Sequence, residues 1–577
     1  MNPSEPIACQ VVPAIPTFAV DDGFTYAVGD RTDVSVGSRV RIRVGGRRLR
    51  GYVTALVPTP FDRDILDIDG VVGTLPSFRE RDLELLRWAA THYVTPLSTV
   101  LERTVPPNVP RSKKPLASPP QSPGRFGIES MASAAPHHDA VVEQLRRVGA
   151  DAAMVVVPAM VEAENLAGHL RSIYGDRVVI AHSGLDAKTA TKAWVSSMVS
   201  QGTILVGTRE VALWPISNLA RIVVVEDTRR VMKSPATPTF GVREIAIERA
   251  RLGGFPVAFV SPMPSLEVLH AVATRPEPRG RGWGLIEVVD RTEEPPTSAS
   301  VMQRTRAAVA GAVKANSSAF VLVPRRGYAR AVRCLACSHL RTCPSCSAAG
   351  STANACERCG NPLNACENCG RKRWRSIGAG IGSVVDELKS VVGSAVGDAS
   401  ANRVVTVGTE RDLVAHPPVD LAIAVDIDSV SMAPTYRAPE DALRLLIRLS
   451  QLVTRGRGHR TMIQTSLVGQ PVVEAMRSGS WVEFAASEMH SRKKSGFPPS
   501  GELIALEVRD ADTDITSAIV DAAGAATVLG PAAMKDRDRW LIQGKDLSAA
   551  RVQLRSVVRT ARDRGAKVRV DVDPIDL

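Results

Sequence analysis

The chain is expected to fall in the α/β class: two parallel-sheet domains, a cysteine-rich module inserted in the second, an N-terminal β-barrel and a small C-terminal α+β domain. Three observations lead there. From about residue 150, short apolar runs alternate with helical stretches, which is the pattern of a parallel sheet covered on both faces. Eight of the nine cysteines crowd into residues 334–369. Residues 7–57 instead break into short alternating strands separated by turn residues.

The N-terminal strands are I-A-C-Q-V-V-P, G-F-T-Y-A-V and the stretch V-G-S-R-V-R-I-R-V-G-G-R-R-L-R-G-Y-V-T-A-L. Val40, Ile42 and Val44 alternate with Arg39, Arg41 and Arg43, so one face is expected in a core and the other lined with guanidinium, which Arg47 extends. Cys9 lies in a strand pattern and is expected to be a packed core thiol. Residues 77–104 have helical periodicity, with Ser77 and Glu80 in capping-box spacing. The Pro/Ser/Lys-rich segment that follows cannot bury a core and is expected to be a linker.

The first α/β series is A-A-M-V-V-V-P, R-V-V-I-A-H-S, G-T-I-L-V-G-T-R, A-R-I-V-V-V-E-D and P-V-A-F-V-S-P; a second, R-V-V-T-V-G-T-E, V-D-L-A-I-A-V-D-I-D and R-T-M-I-Q-T, follows the cysteines. Beyond residue 496, four more strands and a helix near 547–564 form the α+β piece.

The cysteines form four C-x-x-C pairs, Cys334/Cys337, Cys343/Cys346, Cys356/Cys359 and Cys366/Cys369. Each pair can offer two thiolates to one tetrahedral zinc, so two zinc ions per chain are expected. Joining Cys343/Cys346 to Cys356/Cys359 leaves a hairpin loop, around which the outer pairs close as a nested second site. Disulfides are the rival, but the start M-N-P-S-E is not a secretory signal and no apolar run spans a bilayer, so a reducing cytoplasm and no membrane association are expected. A single thioredoxin-like motif would not account for four pairs. Closed four-thiolate zinc is a scaffold rather than a catalyst. Cations beside it, Arg371, Lys372 and Arg373 among them, point to nucleic acid phosphate. Overall, 72 Lys plus Arg against 60 Asp plus Glu, a net charge of +12, favours an anionic partner without identifying it.

With these residues laid out, the chain resembles the primosomal protein N′ (PriA) family of replication-restart helicases, in an actinobacterial-type form. The resemblance rests on F-T-Y at 24–26, V-G-S-R-V-R-I-R-V-G-G at 36–46, L-L-R-W-A-A-T-H-Y at 85–93, H-S-G-L at 182–185, V-G-T-R-E-V-A-L-W-P at 206–215 and S-P-M-P-S-L-E at 261–267. It continues through the eight cysteines, I-G-A-G-I-G-S-V-V-D-E-L at 377–388, V-L-G-P-A at 528–532 and the closing V-D-V-D-P. It implies a 3′ DNA-binding-like barrel over 1–74, a winged-helix-like remnant over 75–108, a Pro-rich linker over 109–135 and a degenerate first helicase domain over 136–300. The second helicase-like domain would begin over 301–333, be interrupted by the double zinc module over 334–372, and resume over 373–490 before the C-terminal α+β domain over 491–577. Two nested structural zinc sites are implied, Cys334, Cys337, Cys366 and Cys369 holding one ion and Cys343, Cys346, Cys356 and Cys359 the other. DNA, forked or single-stranded, would be the partner, with primosome proteins, the replicative helicase and single-strand binding protein among the candidates for recruitment.

The pattern departs from the family where ATP would be burned. G-x-T-G-S-G-K-T is replaced by G-R-F-G-I-E-S-M-A-S-A-A-P-H-H-D-A-V-V-E-Q at 124–144, without the phosphate-binding lysine. The metal-holding D-E-x-H reads Glu226, Asp227, Thr228, Arg229, and of the arginine-finger segment only Arg455 survives. Thr25 stands where the family tends to have Asp in the 3′-end pocket. ATP and magnesium are therefore not expected. The expected function is a DNA-binding replication-restart protein without ATPase or helicase activity; the alternative is an active ATP-dependent 3′-5′ helicase with a cryptic nucleotide site.

Overall fold

The computed structural model describes residues 7–29, 31–58, 65–106, 108–118, 124–272, 282–293, 300–323, 332–337, 339, 341–345, 354–356, 360–376, 380–414, 416–510, 515–534 and 536–576. The chain divides into two units. One comprises Met1–Arg275 with Gly501–Gly530 and Trp540–Pro574; the other comprises Pro276–Ser500 with two short C-terminal pieces.

In the first unit, the N-terminal strands make a five-stranded sheet in the order Phe24–Ala27, Ile7–Pro13, Arg47–Pro58, Arg39–Val44, Gly70–Val71. A bridge between Ala27 and Asp67 links the outer strand back to the segment leading into Gly70, which closes the sheet towards a barrel. Val11, Tyr26, Val40, Ile42 and Val53 fill its core together with Cys9, whose thiol is pushed up to about 11 by burial. Gly37, in V-G-S, has φ +87°, and a Cβ there would lie 1.8 Å from the Phe78 carbonyl oxygen. Only glycine lets the barrel meet the start of the helical module this closely. That module is the helix Glu80–His92 followed by Leu97–Leu101. The expected Ser77/Glu80 cap is not the one used: Arg79 is the cap residue, and the Asp82 carboxylate accepts its backbone N–H at 3.0 Å.

The first α/β sheet has six parallel strands in the order Gly127–Ala132, Pro256–Ser261, Leu219–Val225, Ala152–Val156, Ile204–Gly207, Val178–Ala181. Its first strand lies within 109–135, where a linker was expected. G-I-E-S-M-A has no apolar run to announce it, because an edge strand is half solvated. Trp194, fully buried on the helix Ala187–Val199, donates from Nε1 to the Thr104 carbonyl at 2.7 Å and so ties this domain to the end of the helical module. Trp194→Ala should cost about 3–5 kcal/mol, the usual penalty for truncating a large core aromatic; the check is a lowered midpoint for this unit in denaturant unfolding.

The C-terminal strands Glu502–Arg509 and Lys567–Val572 pair antiparallel, and the helix Ser548–Asp563 packs Leu554 and Val558 on them. This core is continuous with that of the helical module through Leu86, Tyr93 and Leu97. Lys233 locks the closing V-D-V-D-P in place, donating to Asp571 Oδ1 and to the carbonyls of Val572 and Asp573 at 2.6–2.7 Å.

In the second unit, six parallel strands follow the order Ile286–Asp290, Arg460–Thr465, Leu421–Ala424, Ala319–Leu322, Val405–Gly408, Val396–Asp398. Numbered within its own sheet, each series has the order 1-6-5-2-4-3, so the two helicase-like sheets share one topology. Ile286–Asp290 lies inside 136–300, the span expected to be the first domain, yet it pairs in the second sheet. The cysteine module is inserted between the second and third strands of this sheet. Its base is the antiparallel pair Val332–Cys334 and Trp374–Ser376.

Candidate metal centre, nucleotide site and DNA-facing surface

The antiparallel pair at 332–334 and 374–376 fixes Cys334 at its tip, and tight knuckle turns place the partner thiols. In the turn after Cys366, Gly370 (φ +71°) returns its N–H to the Cys366 carbonyl at 2.8 Å, while the Cys366 N–H donates to Arg371 O at 2.9 Å. The Sγ atoms of Cys334, Cys337, Cys366 and Cys369 all lie within 4.8 Å of one another, with Cys334–Cys369 at 3.4 Å and Cys337–Cys366 at 3.6 Å. A disulfide needs about 2.05 Å. A tetrahedral ion with metal–sulfur bonds of about 2.3 Å needs sulfur–sulfur edges of about 3.8 Å. The donor set fits a four-thiolate metal site, formed by the outer two pairs.

The other site is described in part. Cys356 and Gly360 repeat the same turn, the Gly360 N–H donating to Cys356 O at 2.8 Å. Cys343 and Cys356 are buried against Leu363. Cys346 and Cys359 lie outside the described residues. Arg341 braces the module, stacking over Trp374 at 4.5 Å and donating to the Asn364 carbonyl at 3.1 Å.

Where the resemblance places a nucleotide site, the strand Gly127–Ala132 connects to the helix His138–Arg146 through Ser133–His137. Pro136 within it has no N–H to give a phosphate. His137, which ends it, turns its imidazole inward, with Nε2 3.0 Å from Glu226 Oε1. Both side chains are under 5% exposed, and both residues have positive φ, 66° and 48°. Arg229 lies 3.6 Å from the other oxygen of Glu226 and donates to Glu162 at 2.8–2.9 Å. Asp227 is paired with Arg243 at 3.4 Å. Both carboxylates that would hold magnesium are thus engaged by cations of the chain itself. Arg209 of the retained G-T-R donates to the Val231 carbonyl at 3.0 Å, a brace for the strand end. Arg455 is exposed in the turn after the helix Ala438–Gln451.

On the barrel, Arg41, Arg43 and Arg47 are exposed, as the alternation implied. Arg39 is 6% exposed instead. The period holds, but at this end the outer face is covered: Tyr52, opposite Arg39, packs near Phe78 of the helical module. Sequence reasoning also missed Arg48 and Arg50. The register sets Arg41 against Arg50 and Arg43 against Arg48, with Asp69 the carboxylate near Arg43 and Arg48. Like charges placed directly across a strand pair destabilise it, so the arrangement suits a polyanion. The signal was available in R-V-R-I-R-V-G-G-R-R-L-R once a tight hairpin at Gly45–Gly46 was assumed. Thr25 is half-buried on the strand Phe24–Ala27, between an exposed Phe24 and a buried Tyr26 whose hydroxyl donates to Arg43 O at 2.8 Å. Arg371, Lys372 and Arg373 are exposed directly after the last knuckle. No helix among the described residues is long and apolar enough to cross a membrane.

Residues 10–106 match the family described as the 3′DNA-binding domain (3′BD) of PriA, and residues 493–575 match the primosomal protein N C-terminal domain. The Replication restart protein PriA of Synechocystis sp. is 25% identical over 406 residues, 61% of this chain and 48% of that protein. The Bacillus subtilis protein of the same name is 23% identical over 492 residues, 73% of this chain and 60% of its own length. A Probable replication restart protein PriA of Mycobacterium tuberculosis is 24% identical over 461 residues, 72% of this chain and 69% of that protein. The chain therefore spans about half to two thirds of the length of these relatives.

Proposed function

Because the chain is a PriA-type protein, we propose that it serves replication restart as a DNA-binding scaffold that does not hydrolyse ATP. The observation that carries this reading is the pairing of Glu226 with His137 and Arg229, and of Asp227 with Arg243, beside a five-residue Ser133–His137 connection. Phosphoryl transfer needs a loop of N–H donors, a lysine and a free carboxylate for magnesium. Among the described residues the Ser133–His137 connection carries no lysine, and the Glu226 and Asp227 carboxylates are paired with cationic or imidazole groups of the chain.

In this reading the cysteine module holds two zinc ions, the outer four thiolates binding one and Cys343, Cys346, Cys356 and Cys359 the other. DNA is held by the barrel hairpin through Arg41, Arg43 and Arg47, and by Arg371, Lys372 and Arg373. The chain binds forked or single-stranded DNA in the cytoplasm and recruits primosome proteins there, the replicative helicase and single-strand binding protein being candidates. Thr25, with a hydroxyl and no carboxylate, weakens discrimination for a 3′ end.

The test is anisotropy of a labelled DNA fork titrated across a salt series. Phosphate contacts release counterions, so log affinity should fall linearly with log salt, and Arg41→Ala, Arg43→Ala and Arg47→Ala should each lower the slope by about 1. Affinity indifferent to salt, or a slope the three changes leave untouched, would dismiss DNA binding by this face.

A further inference from the structure

Within the first unit, the barrel, the helical module and the first α/β domain enclose a cleft of about 670 Å³ that none of the roles above uses. Its size is that of a site for a small organic ligand. Four guanidinium groups line it, Arg39, Arg50, Arg103 and Arg209, against the two carboxylates of Glu102 and Glu210. Glu210 is engaged by the Thr208 hydroxyl at 2.5 Å and sits 3.5 Å from Arg209.

Arg39 is the informative member. It is 6% exposed, yet its Nε and Nη2 are buried without a hydrogen-bond partner. Burying a guanidinium costs several kcal/mol unless an anion compensates it. Burial holds its pKa below the ordinary arginine value; Tyr52 opposes this, and Arg50, the smallest of the three effects, adds to it. A cation desolvated beside a second cation, facing a cavity, is the mark of a missing anion. The rest of the lining indicates what the anion is attached to. Tyr52, Trp214 and Phe240 present aromatic surface to the same space, and a planar base stacks favourably on such surface.

We propose that this cleft binds a nucleoside phosphate, its phosphate on Arg39, Arg50 and Arg103 and its base against the aromatic wall. The cleft is not lined by Glu226 or His137, and the inference does not depend on the absence of ATPase activity. The ligand is either a free nucleotide or the phosphorylated terminal nucleotide of a DNA strand, two sources of the same chemistry.

Isothermal titration of the full chain with ADP, with inorganic pyrophosphate and with a short 5′-phosphorylated oligonucleotide tests it, and tryptophan quenching that is lost in Trp214→Phe is a second readout. ADP or the phosphorylated oligonucleotide should bind and pyrophosphate more weakly, because it lacks the base. Arg39→Met and Arg103→Glu should each weaken binding tenfold or more, while His137→Ala, outside the cleft, should leave it unchanged. Binding by ADP but not the oligonucleotide assigns a free nucleotide; the reverse assigns a strand end. Should Arg39→Met fail to fold, the exposed Arg103 and Arg50 carry the test. The proposal is overturned if neither probe binds, if Arg103→Glu and Arg50→Glu leave affinity intact, or if His137→Ala abolishes it.

Discussion

The purified chain, given ATP, magnesium and forked DNA, should release no phosphate above the buffer control, and Glu226→Gln should change nothing. An active motor of this type owes its rate to positioned phosphates and metal, so removing both takes away the whole enhancement rather than a fraction of it. Here the two losses reinforce each other. The connection Ser133–His137 contains neither glycine nor lysine, and the imidazole that ends it occupies one oxygen of Glu226. Admitting magnesium would require expelling His137 and Arg229, both under 10% exposed. Breaking such buried pairs is unfavourable by roughly 3–5 kcal/mol. For the same reason Arg229→Ala should destabilise the protein, by removing the buried guanidinium that Glu162 and Glu226 share, and should not create an ATPase. Magnesium-dependent turnover that disappears in Glu226→Gln would refute the scaffold reading.

Metal removal should have the second large effect. The protein as isolated should carry two zinc ions, and Cys337→Ser and Cys356→Ser should each lower the content to one. Structural zinc contributes about 10–16 kcal/mol of apparent binding energy that is also folding energy. Chelation should therefore unfold residues 332–376, seen as protease cleavage within the module while both α/β domains stay resistant. The strands on either side, Ala319–Leu322 and Val396–Asp398, are held by their own sheet and do not depend on the metal. Elemental analysis decides the count. Fewer than one zinc per chain, or sulfurs found oxidised to disulfides, would remove the metal from the account.

Much of this architecture was legible in advance because the relevant signals are local. Fully buried strands such as Leu219–Val225 announce themselves by an unbroken apolar run, and the helix Ser548–Asp563 lies within a residue of the expected span. The two strands that were misplaced fail for opposite reasons. Gly127–Ala132 is too polar to look like a core strand, whereas Ile286–Asp290 looks like one but joins a partner more than 170 residues away. Period-2 alternation gave Arg41 and Arg43 their exposure, and gave Arg39 the wrong one, because alternation assigns a face without saying what covers it.

Spacing alone was enough for the four paired cysteines and for the alternation of Arg39, Arg41 and Arg43, since each depends on which residue types stand a few positions apart; the missing phosphate-binding lysine was legible only through the family resemblance. Which carboxylate meets which cation was decided only when the chain folded: His137 reaches Glu226 across 89 residues, and Arg229 reaches Glu162 across 67. The same holds for the unpartnered Arg39 above its cleft. Burial and charge pairing depend on distances set by sheet order and packing, and those are properties of the whole chain rather than of any stretch of it.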